Sequence, residues 1–77
     1  MSSEDSVVVN ARGLACPEPV MMAKSALGRA AGKSVEVSVD TATARDNVLR
    51  MARREGREAE ARTDGEGFII LIHAKKA

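Results

Sequence analysis

Cys16 is the only cysteine in a chain of 77 residues, and the only two prolines, Pro17 and Pro19, follow it at once. A free thiol does its chemistry as the thiolate, which serves as nucleophile and as leaving group in sulfur exchange. Proline is penalised inside a helix because it lacks an N–H and clashes with the preceding turn, but first-turn amides have no intrahelical partner to lose. A helix starting at Pro17 puts Cys16 at its N-cap. There the macrodipole supplies roughly half a positive charge and can lower a cysteine pKa from ~8.5 toward 7 or below. Glu18 opposes that shift unless its side chain turns to solvent. Pro19 disfavours helical geometry at Glu18, so some strain is expected at this start. The competing reading makes Cys16 a small buried core residue, as free cysteines commonly are.

Other chemistries find less support. His73 is the only histidine, and a Cys16–His73 dyad is disfavoured because a lone histidine near the end of a strand is more often a surface or edge residue. No pair of ligands has zinc-type spacing, so no metal is expected.

The elements that must position the thiol follow from periodicity. Met1 to Ser6 is polar and expected to form a disordered N-terminal tail, with residues 7–77 as a single domain. Val7 to Ala11 reads as a first strand and Arg12 to Ala15 as the turn after it. Val20, Ala23, Leu27 and Ala30 recur at helical spacing before Gly32, which predicts a helix from Pro17 to Ala31. Val35, Val37 and Val39 alternate with Glu36 and Ser38 as a half-buried strand. Thr43-Ala44-Arg45-Asp46 has the spacing of a capping box and Gly56 that of a stop, with Val48, Leu49 and Ala52 as the apolar stripe of a second helix between them.

Ala59 and Ala61 alternate with Glu58, Glu60 and Arg62 as an edge strand, and Asp64-Gly65-Glu66-Gly67 reads as a hairpin turn into a last strand, Phe68 to Ala74. The predicted fold is therefore an α/β (α+β) two-layer sandwich of order β-α-β-α-β-β. It has a mixed four-stranded sheet, with parallel pairing across each crossover and both helices on one face. In the last strand Phe68, Ile70 and Ile72 point one way and Ile69, Leu71 and His73 the other, so one set must meet solvent or a partner.

Composition narrows the function. A lone thiol fits a reducing compartment, and the longest apolar run, Phe68 to Ile72, is far too short to span a bilayer, so a cytoplasmic location without membrane contact is expected. Formal net charge is +1, and the arginines between Arg45 and Arg62 are interleaved with acids. With Phe68 as the only aromatic, neither a basic stripe nor a stacking platform for nucleic acid is present, and no direct nucleic-acid partner is expected.

Gly13-Leu14-Ala15-Cys16-Pro17-Glu18-Pro19-Val20-Met21-Met22, with Lys24 after it, resembles the Cys-Pro-x-Pro signature of the TusA/SirA/YedF family of sulfur carriers. The likeness covers nearly the whole chain. Asp40, Asp46, Asn47 and Val48 resemble the family's second motif, and the Gly65-x-Gly67-Phe68 turn is similar to YedF-type members. The resemblance implies the same sandwich. It also implies that Cys16 accepts sulfane sulfur from a cysteine desulfurase or rhodanese, holds it as a persulfide without any cofactor, and passes it to an acceptor protein. Asn10 stands where an acid is common in the family, and Thr41 where many members have proline.

With no second cysteine to resolve a persulfide, delivery must be to an outside acceptor. A docking surface is therefore expected around Cys16, positioned by Gly13, Pro17 and Pro19. Glu18, Met21 and Met22 would lie on its rim, and Lys24 or Arg12 would offer charge. Core packing is an equal reading for the methionines. Two rival functions use the same chain: a thiol redox protein, which would usually need a resolving thiol, and a regulatory or RNA-contacting binding module with a structural Cys16. The oligomeric expectation is a monomer or a weak dimer formed through the last strand.

Overall fold

The computed structural model describes residues 6–15, 17–30 and 32–74. Six elements follow in the order β1 (Ser6–Asn10), α1 (Glu18–Ala30), β2 (Ser34–Val39), α2 (Ala42–Arg54), β3 (Ala59–Asp64) and β4 (Gly67–Ile72). The predicted order is correct, with small shifts at the ends. Ser6 belongs to β1, while Met1–Asp5 and Ala31, which the sequence reading assigned to a tail and to the first helix, lie outside the described residues.

The sheet runs β1-β2-β4-β3. β1 pairs parallel with β2, and β4 pairs antiparallel with both β2 and β3. The second crossover corrects one expectation. β2 and β3 do run in the same direction, but they do not pair, because β4 folds back from its hairpin into the slot between them. The apolar run of β4 is what earns it a central place: Ile70 and Ile72 are fully buried against the helices, whereas β3, with Glu60 and Arg62 exposed, suits an edge.

The core lies between sheet and helices. β2 turns Val35, Val37 and Val39 inward, and α1 and α2 answer with small residues, Ala23, Ala26 and Ala30 from α1 and Ala44 and Ala52 from α2. Burying each valine or isoleucine contributes ~1.5–3 kcal/mol, and the alanines let the helices sit close to those branched side chains. Met51, absent from the predicted stripe, completes it at the end of α2.

Caps set the helix ends. The α2 N-cap is Thr41, whose Oγ1 accepts the Ala44 N–H at 3.1 Å; the predicted box starting at Thr43 is displaced by two residues, and Asp46 falls in the second turn. Gly56, at φ +79°, ends α2 as predicted. Its N–H donates to the Arg53 carbonyl and the Arg57 N–H to the Ala52 carbonyl, which is the Schellman arrangement. Arg57, 7% exposed, then ties three segments together: Nε donates to the His73 carbonyl at 3.0 Å and Nη2 to the Lys33 carbonyl at 2.6 Å. Nothing in the sequence singled out this arginine.

Candidate functional site

The loop leaving β1 is fastened before and after position 16. Ala11, fully buried, extends the ladder by donating its N–H to the Ser38 carbonyl at 2.9 Å. Asn10 Oδ1 accepts the Arg12 N–H at 3.2 Å, an Asx turn that bends the chain out of the strand. An aspartate could accept the same bond, so the departure at Asn10 keeps the turn. Gly13 adopts φ +81°, which a residue with a Cβ rarely tolerates, and its N–H donates to Asp40 Oδ2 at 2.8 Å. Leu14 then packs half-buried against the core. Beyond position 16, the Glu18 N–H donates to the Ala15 carbonyl at 2.9 Å and the Met21 N–H to the Pro17 carbonyl at 3.0 Å. Cys16 itself lies outside the described residues, so what the structure defines is the frame that carries it.

That frame is closed by the β3–β4 hairpin. Gly65, at φ +61°, opens the two-residue loop that primed hairpin turns require. Gly67 touches β2 so closely that a Cβ there would lie 2.5 Å from the Val39 carbonyl oxygen, 3.3 Å from Asp40 Cα and 3.0 Å from Arg12 Nη1. Arg12 Nη2 reaches Asp64 Oδ2 at 2.7 Å. Loop 11–15, Asp40 at the end of β2 and the hairpin thus form one connected group at the end of the sheet where both helices begin.

The helix start differs by one residue from the expectation. α1 begins at Glu18, which places Pro17 directly before the helix and Pro19 at its second position. The predicted conflict at Glu18 is absorbed because Pro19 lies in the first turn, where no N–H is needed, and its ring is fully buried in the core. Pro19 is therefore a packing residue of the core. Pro17 and Pro19 carry no N–H and that of Glu18 is taken by Ala15, so none of these three positions offers a free amide at the positive end of α1.

The expected rim divides. Glu18, Met21 and Met22 are exposed on one side of α1, with Met21 63% exposed, so the methionines do not pack in the core. Lys24 and Arg12 are not free cations: Lys24 Nζ lies 3.8 Å from Glu55 Oε2, and Arg12 is held by Asp64. Of the second-motif acids, Asp40 joins the loop and Asp46 does not. Asp46 accepts from Arg45 Nε at 2.9 Å, and this hydrogen bond, only partly offset by desolvation, holds its carboxyl below the usual range. Arg45 in turn lies over the Phe68 ring, 4.7 Å from its centroid.

His73 is at the other end of the sheet. β4 runs antiparallel to β2, so the residues after Ile72 lie beside Val35 at the start of β2, and the His73 N–H donates to the Glu58 carbonyl at 2.8 Å. The loop of residues 11–15 leaves from the opposite end, where Asn10 pairs with Ser38. Among the described residues no helix is long and apolar enough to cross a membrane.

With this geometry in view, comparison with known proteins is specific. The family model described as Sulfurtransferase TusA matches residues 7–74. The crystal structure of a SirA-like protein from Desulfitobacterium hafniense is 34% identical to the chain, covers 91% of it and 99% of that protein's own chain, and superposes with a TM-score of 0.83. No curated protein matches.

Proposed function

The chain belongs to the sulfurtransferase TusA family of sulfur carriers, and from that premise we propose that it holds sulfane sulfur as a persulfide on Cys16 and relays it between two proteins. The observation that carries this reading is the family match from residue 7 to 74, which takes in the chain's single cysteine. On either side of position 16 in the sequence, the described residues form a loop pinned at Gly13 by Asp40 and the start of α1 at Glu18.

Both transfers are balanced exchanges without net redox. On loading, the Cys16 thiolate attacks the terminal sulfur of a donor persulfide. A new S–S bond forms at Cys16, the donor's S–S bond breaks, and the donor cysteine leaves as thiolate while the proton stays with the transferred sulfur. On delivery, an acceptor thiolate attacks that terminal sulfur and Cys16 becomes the leaving group. The positive end of α1 favours anionic sulfur in both steps, as attacking thiolate first and as leaving thiolate later.

A cysteine desulfurase or rhodanese is the donor and a separate thiol protein the acceptor, because the chain has no second cysteine. The exposed Glu18, Met21 and Met22 form the surface these proteins contact. The working unit is one domain, residues 7–77, in the cytoplasm, where a lone thiol stays reduced. It needs no bound cofactor, since the cargo is covalent.

The test is to incubate the protein with a cysteine desulfurase and labelled cysteine and to examine it by non-reducing mass spectrometry. One added sulfur on Cys16 of the wild type, and none on Cys16→Ala, is the expected result. An unloaded wild type, or equal loading of Cys16→Ala, overturns the proposal.

A further inference from the structure

Among the described residues, Arg57 is a buried charge without a counter-ion. It is more than nine-tenths buried, Nε and Nη2 donate to the His73 and Lys33 carbonyls, and no described carboxylate lies within ion-pair distance of it. No buried side-chain nitrogen among those residues lacks a hydrogen bond, so Nη1, which neither carbonyl takes, is the atom that reaches the surface. It does so in an open groove of about 360 Å³ between α1 and the end of α2, lined by Lys24, Leu27, Gly28, Gly32, Glu55 and Arg57. Small-molecule sites run from ~300 Å³ upward.

Two features suit this groove to a small anion. The first is uncompensated charge. Glu55, the one carboxylate in the lining, is engaged by Lys24 at 3.8 Å, and the helix-end carbonyls of Ala30, Ala52 and Arg53 already have backbone donors, so neither offsets the Arg57 charge. The second is the room left by Gly28. Glycine inside a helix is unfavourable, and nothing lies within 4 Å of a Cβ built on Gly28, so packing does not require it there. What a side chain at position 28 would fill is the groove.

We propose that the groove binds a small organic monocarboxylate, whose carboxylate faces Arg57 Nη1 and Lys24 Nζ and whose apolar part lies over Gly28 beside Leu27. Two cations and one carboxylate leave the lining a single positive charge, which one carboxylate neutralises. A dianion such as sulfate would be repelled more strongly by Glu55. Because Lys24 is shared with Glu55 and the groove is open, the dissociation constant is expected on the order of 1 mM. Arg57 stands at the end of the sheet opposite loop 11–15, so the site is independent of the thiol and of the sulfur-carrier reading.

Titration with butyrate to about 50 mM, followed by backbone amide NMR shifts, tests the proposal. The Gly28 and Gly32 amides should shift and saturate, alike in wild type and Cys16→Ala, with sulfate binding about fivefold more weakly than butyrate. Gly28→Leu should melt no lower than wild type, leucine being the better helix former, yet bind butyrate about tenfold more weakly. Glu55→Gln, which frees Lys24, should bind about threefold more tightly, a gain that damage to the fold cannot produce. The absence of saturable shifts in wild type, sulfate binding as tightly as butyrate, Gly28→Leu binding like wild type, or Glu55→Gln binding no better overturns the proposal.

Discussion

Gly67→Ala should destabilise the protein although glycine is replaced by a residue better suited to a strand. Gly67 does not have positive φ, so backbone conformation is not the obstacle. The obstacle is space: the added Cβ would sit 2.5 Å from the Val39 carbonyl oxygen and 3.3 Å from Asp40 Cα, and both are backbone atoms of the paired strand and its end. Relief requires β4 to move off β2. Overpacking of this kind costs typically 1–3 kcal/mol, and the narrower unfolded ensemble of alanine returns ~0.4–1 kcal/mol. The net loss is about 1–2 kcal/mol, or about 5–15 °C in Tm for a domain of this size.

Gly28→Ala is the matched control. Gly28 lies in α1 with nothing within 4 Å of a built Cβ, so alanine should stabilise by ~0.5–1 kcal/mol and raise Tm by about 3–6 °C. Thermal melts by circular dichroism, repeated in urea, measure both. A Gly67→Ala protein melting at or above wild type, or a Gly28→Ala protein falling with it, would refute the reasoning.

Asp40→Ala removes the carboxylate that accepts the Gly13 N–H; at about 1 kcal/mol for the bond, amide exchange at Gly13 to Ala15 should quicken about fivefold while the sheet keeps its protection, and sulfur loading should slow. Unchanged exchange in that loop would show that the bond does not hold it. Asp46 makes a pH prediction. Its carboxyl is held low in the folded state by Arg45, so any stability it lends is complete above the unfolded carboxylate pKa, ~3.9, and is lost as pH falls through the lower folded value. An NMR titration of Arg45→Ala should show the Asp46 midpoint moving up; a midpoint that stays put contradicts the assignment.

The parts of the fold legible in the sequence were those governed by local rules. Alternation marked β2, the Gly65-containing turn marked the hairpin, and Gly56 marked the end of α2, because period and positive φ are properties of neighbouring residues. Sheet order was not of that kind. Only the contrast between the apolar β4 and the charged β3 points to β4 as the inner strand, and the crossover rule by itself suggested the opposite. At the site, backbone chemistry drew notice to Gly13, Pro17 and Pro19, and the structure shows Gly13 at φ +81° and Pro19 buried in the first turn of α1. The motif drew notice to Asp40 without giving its task, which depends on a contact across 27 positions. Arg57 and Gly67 were missed as structural anchors for the same reason: Arg57 is held by carbonyls from two distant loops, and Gly67 is demanded by the approach of another strand.

The two ends of the sheet are fastened by different kinds of interaction. Beyond the C-terminal ends of the helices, the buried Arg57 donates to two carbonyls, and moving it would break both bonds of a buried guanidinium, an arrangement costly to open. At the end where the helices begin, the Gly13–Asp40 bond and the Arg12–Asp64 pair are solvent-exposed, and each is worth about 1 kcal/mol or less. Releasing these two contacts requires far less than unfolding the domain, for which the apolar core, buried Ala11 included, would have to separate. Pro19, buried at the second position of α1, stays with that core. Arg12 and Gly13 can thus shift while the first turn of α1 remains in place.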